Sequence, residues 1–124
     1  FLMKRSWCAL LGAVAISSLG CAEDPQIAFA ECLVDKKAEL YTAAGCSYCE
    51  KQKDLFEEEA WEILQPNVID CGSLKDIFVG KQAQKCIDQR IIGFPTWVFG
   101  DGKKAMGYLD FEQLEKYSGC KYEP

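Results

Sequence analysis

Two cysteines separated by two residues, Cys46-Ser-Tyr-Cys49, are the side chains of this 124-residue sequence best suited to chemistry. A thiolate is a nucleophile, and a second thiol within reach can displace it from a mixed disulfide. Such a pair takes up or hands over two electrons. The flanking segments bear on whether the spacing is used this way. Ala38–Thr42 reads as a strand and Glu50–Leu64 as a helix, with Gly45 making the turn between them. Cys46 then falls at the first turn of the helix, where unpaired backbone N–H groups and the helix dipole favour a thiolate. Cys49, three residues on, shares its helical face. Half of a zinc site or a plain structural bridge uses the same spacing, but the strand-then-helix setting favours redox chemistry.

Composition narrows the field further. The sequence contains no histidine, which removes histidine metal sites, Cys–His nucleophile pairs and imidazole acid–base catalysis. A formal net charge of −5 argues against a nucleic-acid surface. The apolar share of 49% is ordinary for a globular chain, no internal repeat is visible, and the length allows one domain.

The amino end has the pattern of an export signal over residues 1–22, leaving 23–124 as the domain. Met3-Lys4-Arg5 is a basic start, and Cys8–Leu19 is an apolar run too short to cross a bilayer but of the right length for a signal core. Two processing sites compete. Ser18-Leu19-Gly20-Cys21 resembles a lipobox, with Ser18 where leucine is usual, and would leave Cys21 acylated. Gly20-Cys21-Ala22 suits ordinary signal peptidase and would leave Glu23 first. A buried amino-terminal helix fits the basic start less well. The expectation is export to a periplasm or a thylakoid-lumen-like compartment, with membrane attachment only through a lipidated Cys21. Six cysteines then remain in an oxidising setting that favours disulfides. With Cys46 and Cys49 paired, Cys71–Cys86 is the preferred second bridge. It would tie a strand end to the next helix and close a loop contributing about 3 kcal/mol on the chain-entropy model. Cys32–Cys120 follows by elimination.

The elements that must position the pair alternate. Pro25–Lys37 has helical spacing of Ile27, Ala30, Leu33 and Val34. After the first strand and the Glu50–Leu64 helix, Val68–Cys71 is a short buried strand. Gly72–Gly80 reads as irregular, and a helix runs from about Lys81 to Gln89. Thr96–Phe99, Gly100-Asp-Gly102 and Lys103–Met106 read as strand, tight turn and strand. Asp110 caps a final helix stopped by Gly119. The order predicts an α/β fold. The first two strands are parallel through a crossover, and the hairpin completes a mixed four-stranded sheet flanked by helices.

Ile92-Gly-Phe-Pro95-Thr opens the third strand, where a proline is tolerated because the first N–H can be spared. Together with Cys46-Ser-Tyr-Cys49, this resembles the minimal thioredoxin fold of thioredoxin-superfamily thiol–disulfide oxidoreductases. Within that superfamily the chain is most similar to the thioredoxin-like domain fused to bacterial and plant vitamin K epoxide reductase homologues. The match runs from about Cys32 to Gly119. It rests on Leu40-Tyr-Thr-Ala-Ala-Gly-Cys46-Ser-Tyr-Cys49, Val68-Ile-Asp-Cys71, Gln82-Ala-Gln-Lys-Cys86 and Gly93-Phe-Pro-Thr-Trp97.

The resemblance implies that Cys46 attacks or is attacked and that Cys49 resolves. It implies that a cis Pro95 faces the disulfide while the Phe94 backbone offers an edge to an extended substrate, and that Cys71 and Cys86 are bridged. Protein thiols and disulfides are the implied partners, with no cofactor, metal or nucleic acid. A membrane disulfide-generating or electron-donating protein is expected as a separate partner. Leu40 stands where thioredoxins carry a buried aspartate. Tyr48 is shared with glutaredoxins, but their Thr-Val-Pro and downstream Gly-Gly-Asp signature is missing. Two other functions use the same residues: a thiolate module binding copper or another metal through Cys46 and Cys49, and a catalytically idle binding domain.

Overall fold

The computed structural model describes residues 24–124. The export signal, Cys8, Cys21 and the 22/23 boundary lie outside the described residues. Helix α1 spans Pro25–Asp35, followed by β1 at Glu39–Ala44, α2 at Ser47–Asp54 and α3 at Glu58–Leu64. A single 3-10 turn, Gln65–Asn67, leads into β2 at Val68–Ser73. Short helices α4 (Leu74–Phe78) and α5 (Gln84–Asp88) precede β3 at Thr96–Val98 and β4 at Lys104–Met106. Helix α6, Phe111–Ser118, ends the fold.

The four strands form one sheet in the order β2-β1-β3-β4. β1 runs parallel to β2, with Leu40 opposite Val68 and Tyr41 opposite Ile69. β3 is antiparallel to both β1 and β4. This mixed, helix-flanked sheet is a minimal thioredoxin-like fold. β1 is hydrogen-bonded on both sides, and the alternation of a strand sends its side chains to two cores. Leu40, with Trp97 and Phe99 from the β3 side, joins the larger core of Phe29, Leu33, Phe56, Leu64 and Leu114. Tyr41 and Val98 join the smaller core of Cys71, Cys86 and Ile91 on the other face.

Local chemistry sets the helix ends. The Asp24 carboxylate caps α1 by accepting from the Gln26 N–H at 2.8 Å, ahead of Pro25 in the first turn. Asp110 and Gln113 form a reciprocal capping box on α6. Gly119 closes that helix in the left-handed region (φ 80°) that a Cβ disfavours.

Three segments differ from the periodicity. The predicted Glu50–Leu64 helix starts earlier, at Ser47, and breaks into α2 and α3. The N–H groups of Leu55 and Phe56 bond three residues back, to Gln52 and Lys53. The Glu57 N–H is taken by Gln26 Oε1 of α1 at 2.5 Å. The break turns Phe56 into the core, edge-on to Phe111 with ring centroids 5.5 Å apart. Gly72–Gly80 holds α4, whose first turn is capped by the Ser73 hydroxyl accepting from the Asp76 N–H at 3.1 Å. Helix α5 is shorter than the predicted Lys81–Gln89, and Ile87 on it is exposed.

Cys32 on α1 and Cys120 after α6 are bonded, their Cα atoms 5.9 Å apart and 88 residues apart in sequence. This bridge lies in the larger core, where Phe111 and Tyr122 also stack at 4.0 Å. Replacing both cysteines with alanine is expected to lower unfolding free energy by about 2–5 kcal/mol, measured by urea unfolding without reductant. An unchanged midpoint would show that the terminal helices hold together without it.

Candidate active site

β1 ends at Ala44, and Gly45 turns the chain at φ 83°, a conformation that costs glycine nothing and other residues a strained Cβ. The next residue, Cys46, is the N-cap of α2, and its Sγ accepts from the Cys49 N–H at 3.2 Å. Cys46 and Cys49 are bonded, with Cα atoms 5.3 Å apart. Their exposure differs: Cys46 is half-buried, while Cys49 is only 4% exposed. Glu50 in the first turn and Lys51 and Lys53 in the last both complement the helix dipole. Cys46 is therefore the more exposed residue of the pair, at the helix end whose free N–H groups favour a thiolate.

The Phe94–Pro95 peptide is cis. Because Tyr41 of β1 pairs antiparallel with Thr96, the residues before Thr96 run along the end of β1 toward Gly45 and Cys46. Pro95 is fully buried, and its carbonyl accepts from the Gly107 N–H at 2.7 Å, while Phe94 packs against the smaller core. Cys71 and Cys86 are bonded inside that core at 1% and 0% exposure. Beside them, the buried Tyr41 hydroxyl donates to Glu39 Oε1 at 2.9 Å, and Glu39 pairs with Lys85 at 2.5 Å. Burial, then the hydrogen bond and charge of Glu39, hold the Tyr41 phenol well above its usual range.

Two features escaped the sequence reading. Gln52 is fully buried on α2, and its amide bonds to the Trp97 indole and to the Leu109 backbone. Its spacing of three from Cys49 was the available signal, masked by its charged neighbours. The second is a set of exposed apolar side chains. Tyr48 projects from the motif itself, Phe78 and Val79 follow from α4, and Ile92 precedes Phe94. Leu74 lies beside Gly45, and the Met106 thioether covers Gly93. Leu40, where thioredoxins have an acid, is buried in the larger core. Among the described residues, no group of three or more His, Cys, Asp or Glu side chains is arranged to hold a metal ion.

No family model matches the chain. Over 96 residues it is 35% identical to the thiol-disulfide oxidoreductase LTO1 of Arabidopsis thaliana, a stretch that covers 75% of this chain and 24% of that protein. The chain thus spans about a quarter of the length of this curated relative. A redox thiol protein is therefore among its relatives.

The unequal exposure of the two cysteines generates a direct expectation. After mild reduction of the folded protein, iodoacetamide should label Cys46 at least tenfold faster than Cys49, because thiolate character and access both favour the first. Equal rates, read by peptide mass spectrometry, would remove the asymmetry on which an order of attack depends.

Proposed function

We propose that this chain is a thiol–disulfide oxidoreductase domain that exchanges disulfides with client polypeptides through Cys46 and Cys49. The observation that carries the reading is a bonded cysteine pair at the start of a helix, with Cys46 the more exposed of the two, at the end of the central strand. The name of the Arabidopsis relative supports the same class of reaction.

In the reducing direction, the Cys46 thiolate attacks one sulfur of a client disulfide. A new S–S bond forms, the client bond breaks, and the leaving client thiolate takes up a proton. Cys49, deprotonated, then attacks Cys46 Sγ, closes the Cys46–Cys49 bond and releases the second client thiol. Two electrons pass to the client and the protein is left oxidised. The oxidising direction is the same sequence reversed, and the potential of the pair against its partner decides which runs.

Polypeptide clients suit the surroundings. Tyr48, between the two cysteines, is 61% exposed, Leu74 lies beside Gly45, and Phe78, Val79 and Ile92 are exposed elsewhere on the surface; apolar exposure of this kind favours a protein chain over a small polar thiol. The backbone at Phe94 and Pro95 is the proposed edge for an extended client.

The pairing of Cys71 with Cys86 supports the finer likeness to the thioredoxin-like domain of vitamin K epoxide reductase homologues. On that likeness, a membrane disulfide-generating or electron-donating protein is the proposed redox partner. The basic and apolar amino end supports export, with Cys21 as the proposed lipid attachment. Among the described residues no helix is long and apolar enough to cross a membrane.

Cys46→Ser should reduce insulin-disulfide turnover, driven by dithiothreitol, to the uncatalysed background. Cys49→Ser should keep the first attack but lose resolution, so clients accumulate as mixed disulfides on non-reducing gels. Full turnover by the Cys46→Ser protein would defeat the reading.

A further inference from the structure

Helix α2 carries the redox pair yet has almost no apolar hold on the protein. Of its eight residues only Cys49 and Gln52 are buried; the rest are exposed. An eight-residue helix is marginal by itself in water, so its helicity depends on what ties it to the fold. Gln52 supplies that tie through polar contacts. Its Oε1 accepts from Trp97 Nε1 at 3.1 Å and from the Leu109 N–H at 2.8 Å, and its Nε2 donates to the Leu109 carbonyl at 2.9 Å. All three bonds are buried, and together they join α2 to β3 and to the segment leading into α6. Bonds of this kind are directional, so they fix the roll of the helix as well as its place.

While the Cys46–Cys49 bond is closed, it also restrains the first turn of α2. Opening it removes that restraint and leaves α2 held by the buried Cys49 side chain, by Lys51 over the Tyr108 ring at 4.5 Å, and by the three Gln52 bonds, the only buried hydrogen bonds among these. We infer that Gln52 is the positioning residue of the exchange reaction, its amide holding α2 folded on the sheet when the disulfide is open so that Cys46 stays at an intact helix start. This rests on the thiol-exchange reading and adds the group that keeps the attacking sulfur in place. Losing the amide frays α2 in the reduced protein and disperses the N–H groups that favour the thiolate. Trp97 is the partner whose loss weakens the same clamp with less disturbance, since phenylalanine keeps a ring to stack on Phe99.

The test is the pH dependence of Cys46 alkylation by iodoacetamide in proteins reduced only at Cys46–Cys49. The set is wild type, Gln52→Met, Trp97→Phe and Leu33→Ala, with urea unfolding of each. Leu33 is buried on α1 and makes none of the Gln52 bonds, so its truncation lowers stability without touching the clamp. The expected result is a wild-type Cys46 pKa below that of a free thiol. Gln52→Met should move it upward with at least a fivefold slower reaction at pH 7, Trp97→Phe should give a smaller shift in the same direction, and Leu33→Ala none. If Gln52→Met and Trp97→Phe lose stability yet keep the wild-type pKa, Gln52 is a core-filling residue and the inference fails. Should Gln52→Met not fold, Trp97→Phe decides alone by the same criterion. A wild-type pKa at the free-thiol value would instead bring down the thiol-exchange reading, and the positioning role with it.

Discussion

Strand β1 is the constraint on which the rest depends. It is paired on both edges and buried on both faces, so its register cannot slip by one residue without exchanging Leu40 and Tyr41 between two differently built cores. Fixing β1 fixes the point where it ends, and Gly45 then delivers Cys46 to the start of α2. The same strand aligns β3, so the Phe94–Pro95 segment arrives at the same end of the sheet. Site and fold are thus set by one register.

Among the described residues, the three cysteine pairs divide between these regions. Cys32–Cys120 belongs to the larger core and Cys71–Cys86 to the smaller, each with at least one sulfur-bearing residue almost fully buried. Cys46–Cys49 stands at the end of the sheet, half open. Access and the local field at a helix start are what separate a reactive thiol pair from an inert one, and the geometry differs on both counts.

Much of this was legible in the sequence because it is written in local chemistry. The caps Asp110 and Gly119, the Asp101-Gly102 turn and the short apolar run Ala38–Thr42 ahead of Gly45 each mark an element by a mechanism confined to a few residues. What escaped depends on distant partners. The break between α2 and α3 needs Gln26, thirty-one residues earlier, to take the Glu57 N–H, and needs Phe111 and Trp61 to pack against Phe56. Gln52 looks like one more solvated residue among Glu50, Lys51 and Lys53, and only Trp97 and Leu109, folded against it, make it an anchor. In the segment that reads as irregular, Ser73 with Asp76 three residues on carries the local signature of the cap that starts α4.

A redox titration of the Cys46–Cys49, Cys71–Cys86 and Cys32–Cys120 disulfides in one protein tests the central claim most directly. The folded chain is equilibrated in graded thiol–disulfide buffers, quenched, and each cysteine pair scored by peptide mass. The account predicts that Cys46–Cys49 titrates first, as a two-electron couple with a tenfold change in ratio per about 30 mV, above roughly −300 mV where structural disulfides resist the glutathione pool. Cys71–Cys86 and Cys32–Cys120 should remain closed across that range. Reduction of either buried bridge while Cys46–Cys49 stayed bonded would contradict it.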